Sequence, residues 1–190
     1  MGACCATDSD SAQELRTIED KGLLVIEFGD STAHWSDIYP SADQLEELKK
    51  DASLKLKGID SKHVKGYTPL SGIRLSFTDG SSSPWMQTSL KDVLADDIEE
   101  VSDDIDTERE IREISMRVST VGNAICALDF SDAQGETIFE FEWENFDLGR
   151  EWKTFPVPAG YTIVGIQANT TNEANNITRL GFVLSKVGGN

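Results

Sequence analysis

From Ser71 onward, apolar and polar residues mostly alternate, and a period of two marks strands with one buried face. Ile73, Leu75 and Phe77 alternate with Arg74, Ser76 and Thr78. Ile114-Ser115-Met116-Arg117-Val118 repeats the pattern, and Ile125 to Phe130 is more continuously apolar. Thr137 to Trp143 alternates apolar with acidic residues, as a half-buried strand with a charged outer face does. Thr162 to Gln167 and Ile177 to Leu184 predict a final pair of strands, with Leu180, Phe182 and Leu184 on one face. The polar stretch Asn169 to Asn176 joins them, and Asp79-Gly80 and Ser83-Pro84 supply turns earlier in the chain.

The first third reads differently. Ser11-Ala12-Gln13-Glu14 has the form of a capping box, so a short helix carrying Leu15 and Ile18 is expected, ended by Gly22. Leu23 to Phe28 predicts a strand. Ser41-Ala42-Asp43-Gln44 is a second capping box, opening a helix to about Ser53 with Leu45 and Leu48 on one face. Ala95 to Glu110 is strongly acidic. As a helix it would align Leu94, Ile98, Val101 and Ile105, but it reads best as a solvated acidic excursion between strands, without the ligand spacing of a calcium loop.

A repeat runs through the strands. Leu75-Ser76-Phe77-Thr78-Asp79-Gly80 matches Leu128-Asp129-Phe130-Ser131-Asp132, and Leu180-Gly181-Phe182 is a third copy. The leucines at 75, 128 and 180 lie 53 and 52 residues apart. One such unit cannot bury its apolar face alone, so three sheets around a common core are expected. The stretch from Ser71 to Val187 resembles a jacalin-related lectin domain, carried by SGIRLSFTDG, IREISMRVSTVGNAICALDFSDAQG and FPVPAGYTIVGIQANTTNEANNITRLGFVL. The resemblance implies a mainly β, β-prism-like fold of three sheets, here with a short helical N-terminal extension. The divisions read from the sequence are a tail at 1–10, an extension at 11–58 with one strand, and the β domain at 59–190.

The family's sugar site is a Gly-x-x-x-Asp loop in the last hairpin. Alignment on Gly181 places Ala174 at the Gly position and Thr178 at the Asp position, with Asn175 and Asn176 as polar neighbours. A hydroxyl at 178 removes a charge and one acceptor oxygen, so this site reads as degenerate and carbohydrate is not an expected partner.

Charge narrows the remaining choices. The net charge is −17, which excludes nucleic acid as a partner and favours a protein with a basic surface. Met1-Gly2-Ala3-Cys4-Cys5 resembles a dual-acylation signal, with Gly2 as myristate acceptor and Cys4 and Cys5 as palmitate acceptors. No secretory leader is read in Met1 to Asp10, so a cytoplasmic, membrane-associated location through acyl chains is expected. Cys126 reads as a small buried hydrophobe. His34 and His63 read as surface residues of polar loops, without neighbours at metal-ligand spacing. No catalytic constellation, metal site or cofactor fingerprint occurs. The expected function is a non-enzymatic binding or scaffold module. The alternatives are a carbohydrate-binding jacalin-like lectin, or a structural component of a ciliary or cytoskeletal assembly.

Overall fold

The computed structural model describes residues 15–18, 23–29, 35–41, 43–44, 54–119, 124–142, 152–170 and 176–186. Thirteen strands are found among them: β1 (Leu15–Ile18), β2 (Leu23–Gly29), β3 (Asp37–Tyr39), β4 (Leu56–Val64), β5 (Tyr67–Phe77), β6 (Met86–Gln87), β7 (Ile98–Asp104), β8 (Glu113–Val118), β9 (Ile125–Ser131), β10 (Thr137–Glu142), β11 (Lys153–Pro156), β12 (Tyr161–Asn169) and β13 (Arg179–Lys186). They form three antiparallel sheets, ordered β1-β2-β13-β12-β3, β10-β9-β8-β11 and β6-β5-β4-β7.

Two sheets are built from four consecutive strands each. The third is built from both ends of the described chain. Its hairpin β12–β13 is completed on one side by β2 and on the other by β3. The three repeated Leu-x-Phe segments lie on β5, β9 and β13, and each of these strands is the second strand of an equivalent four-strand set. Phe77, Phe130 and Phe182 are fully buried, and Phe130 meets Phe182 edge to face at 5.3 Å between ring centroids. The shared core predicted from the repeat is therefore present.

Several local expectations change. Leu15 to Ile18 is a strand paired with β2, not a helix. Residues 15–39, read as part of an extension, supply three of the five strands of one sheet. The second capping box does form: the Ser41 amide donates to Gln44 Oε1 at 3.0 Å and the Gln44 amide to Ser41 Oγ at 3.4 Å. The acidic excursion is a 3-10 turn at Ala95–Asp97 followed by β7, which pairs with β4 along its whole length. Its carboxylates lie on an edge strand, where charge discourages pairing with another chain.

β4 and the first part of β5 were not expected as strands. Register shifts interrupt their pairing between Leu56 and Gly58 and between Lys62 and Val64, which breaks the period of two. His63 accordingly lies on a strand and is buried, with Nε2 3.2 Å from Glu99 Oε2, rather than in a polar surface loop. Cys126 is buried as expected, and burial pushes its thiol pKa up.

On the outer face of the β8–β11 sheet, burial is the main factor that raises the Asp129 carboxyl above its ordinary range, and the charge of Glu140 adds to it. Its Oδ2 is buried without a hydrogen-bond partner among the described residues. A carboxyl whose folded pKa is raised weakens the fold once the unfolded chain ionises, and the full effect is present above the folded pKa. Asp129→Asn should therefore raise the thermal midpoint at pH 7 and change it little at pH 3, where both states hold the proton. In the core, Phe182→Ala should lower stability by about 3–5 kcal/mol in urea unfolding. Phe130→Ala combined with it should be less than additive, because the two rings touch.

Candidate functional site

The three sheets meet at one end of the molecule, where Gly29, Leu70, Ile125 and Asn169 lie close to the start of β13. The residue that joins them is Ile177. Its amide donates to Leu70 O at 2.7 Å in one sheet, and its carbonyl accepts from the Ile125 amide at 2.9 Å in another. Its side chain is fully buried. Beside it, Gly29 faces Arg179 across the β2–β13 ladder with φ +99°. A Cβ on Gly29 would stand 2.1 Å from the Thr178 carbonyl oxygen. Only glycine combines that backbone conformation with so close an approach.

Two polar groups flank this end. In the first, Glu27 and Arg179 form a buried ion pair at 2.5 Å, and Gln167 Nε2 donates to the second oxygen of Glu27 at 3.3 Å. The Trp35 ring covers the guanidinium, with Cζ 4.0 Å from its centroid. Gly181 makes that placement possible, since a Cβ there would lie 3.2 Å from the Trp35 ring and 3.0 Å from Gln167. In the second group, Ser36 Oγ lies 2.9 Å from both Asp37 Oδ2 and Thr170 Oγ1, and it accepts from the Thr170 amide at 2.8 Å. Thr170 also donates its hydroxyl to Asp37 Oδ2. A carboxylate and two hydroxyls are thus held in place at the root of the β12–β13 loop. Such an arrangement can accept and donate hydrogen bonds to a polyhydroxyl ligand, and it offers no nucleophile–base pair.

Among the predicted site residues, Thr178 is half-buried at this end, and Asn176 is 2% exposed. Asn176 therefore serves the fold more than it presents its amide to solvent. Ala174 and Asn175 lie outside the described residues, as do Gly2, Cys4, Cys5 and His34. Sequence reasoning missed Gly29, Trp35, Ser36, Asp37, Thr170 and the Glu27–Arg179 pair. A glycine at the end of an apolar run, Phe28-Gly29, was the available signal for the first of these. No group of three His, Cys, Asp or Glu among the described residues could hold a metal. No described helix is long and apolar enough to cross a membrane.

No family model matches the chain, and no curated protein matches it. Solved structures do. The mannose-binding lectin from champedak superposes with a TM-score of 0.55 at 14% identity, over 87% of this chain and 99% of that one. A mannose-binding jacalin-related lectin from Ananas comosus gives 0.54 at 13% identity, over 87% and 99%. The lamprey immune protein gives 0.56 at 14%, over 85% of this chain and 44% of that one. The fold is the jacalin-like β-prism. At such identities the likeness concerns architecture. It also corrects one expectation, that carbohydrate is not a partner: the two jacalin-type proteins from champedak and Ananas comosus, each aligned over 99% of its length, are mannose-binding lectins.

The buried ion pair yields a sharp prediction. Glu27→Ala should cost about 3–5 kcal/mol by leaving Arg179 buried without its carboxylate. Glu27→Leu together with Arg179→Met should cost clearly less than either single change, as read by urea unfolding of the set.

Proposed function

We propose that this β-prism is a non-enzymatic carbohydrate-binding module whose site is the end closed by Ile177. The observation that carries the reading is the shared architecture with mannose-binding lectins across 87% of the chain. The geometry supports it, because Gly29, Thr178 and the hydrogen-bonded Ser36, Asp37 and Thr170 side chains occupy the same end. Thr178 stands where the family pattern places a carboxylate. In this reading Asp37 supplies the charged acceptor instead. It lies across β12 from β13, since Ala168 pairs with Asp37 on one side and Leu180 on the other. Trp35 supplies an apolar ring edge for a sugar face.

The test is an NMR titration with methyl α-mannoside, backed by a glycan array. Saturable shifts at the Gly29, Trp35 and Thr178 amides support the proposal. Asp37→Asn should weaken binding by about tenfold, since a hydrogen bond to a charged group contributes roughly 1.5–3 kcal/mol. Thr178→Asp should strengthen it by a similar factor. Silence across the array, with no shifts at this end at millimolar sugar, would sink the reading.

A further inference from the structure

The two ends of the prism are closed differently. Ile177 plugs one end and ties it by backbone hydrogen bonds to both other sheets. At the opposite end the backbone bonds stay within single sheets: the Ile105 amide donates to Lys57 O, and the Val157 amide to Arg112 O. Here the three sheets part and leave a cavity of about 320 Å³. Every sheet contributes wall residues. Leu54, Leu56 and Ile105 lie on or just beside one, Ile111 and Val157 just beside the second, and Ile163 on the third. An apolar cavity of about 150 Å³ is enough to hold benzene, so this one takes a ligand of roughly ten to fifteen non-hydrogen atoms.

The charges at the mouth set the chemistry of the ligand's polar end. Arg109 is already committed: Nη2 lies 2.5 Å and Nε 3.1 Å from Asp132 Oδ2, and Nη1 and Nη2 also donate to the Thr137 and Glu136 carbonyls. Glu110 is bridged to Arg112. Lys55 differs. Its ammonium donates to the neutral Thr107 carbonyl at 2.7 Å and meets no carboxylate among the described residues. Two of its three N–H donors remain for a ligand.

We propose that this end of the prism binds a small amphiphile with an anionic head, of the medium-chain carboxylate class. The chain lies among Leu54, Leu56, Ile105, Ile111, Val157 and Ile163, and the head accepts from Lys55 Nζ. The overall charge of −17 does not forbid this, because exposed charges beyond about 8–10 Å are screened at physiological salt while the lysine contact is direct. The site stands at the opposite end from the proposed sugar site and does not depend on it.

The experiment is calorimetric titration of the full chain with decanoate, below its micelle concentration, and in parallel with decanol and decylammonium. Saturable one-to-one binding of decanoate is expected, with decanol about tenfold weaker for want of the charged contact. Lys55 is exposed, so its variants should fold. Lys55→Gln should weaken decanoate by about tenfold and leave decanol unchanged. Lys55→Glu should reverse the preference, favouring decylammonium over decanoate. Ile111→Trp should abolish binding of all three by filling the cavity. Absence of saturable decanoate binding overturns the proposal, and so does decanoate binding that is unchanged in Lys55→Glu. Binding that persists in a folded Ile111→Trp places the ligand elsewhere and overturns it equally.

Discussion

Three sheets can share a core only if something holds them at a fixed separation, and at one end of this molecule Ile177 does so. A residue outside regular structure spends both its backbone groups on two different sheets and its side chain on the core between them. Leaving either group unpaired in a buried position costs about 1–3 kcal/mol, so the three sheets are coupled through a single peptide segment. The same segment leads directly into β13, so Thr178 inherits a fixed position. The described residues of the candidate binding end are tied to the core through Ile177.

The second constraint is topological. One sheet is completed by strands from opposite ends of the described chain, with β2 and β3 flanking the β12–β13 hairpin. Its central strands β2, β12 and β13 are buried on both faces, which explains why Leu23 to Phe28 and Ile163 to Gln167 read as near-continuous apolar runs. A polar group can remain inside such a sheet only when paired. Glu27, Gln167 and Arg179 satisfy one another there, under the ring of Trp35.

Much of this was legible in the sequence. The Leu-x-Phe repeat located the three equivalent strands, because each must place an aromatic residue in the common core. The β12–β13 hairpin was legible from its β-branched runs and from Gly181. Other parts were hidden for identifiable reasons. β4 carries two register shifts, and Pro69 and Gly72 in β5 weaken the strand signal at its start. Leu15 to Ile18 follows a capping-box sequence, yet pairing with β2 outweighs that local preference. β7 looked like a solvated excursion because its outward carboxylates dominate the composition, while its hydrogen bonds to β4 leave no trace in side-chain chemistry. The candidate binding end was only half visible. The hairpin half resembles a family pattern from which Ala174 and Thr178 depart, whereas Gly29, Trp35 and Asp37 become neighbours of that hairpin only through strand pairing more than a hundred residues away in sequence.

Amide hydrogen exchange at Ile125 and Ile177 tests the closure most directly, because these two N–H groups form the bonds that cross between sheets. Buried amides whose bonds hold the whole fold together exchange only through global unfolding. Both amides should therefore show the same opening free energy as Phe130 and Phe182 in the core, with the same dependence on urea. Exchange at Ile177 faster by orders of magnitude and insensitive to urea would mean that this end opens by itself. That result would contradict an account in which the three sheets, and the candidate site they carry, are locked together by this residue.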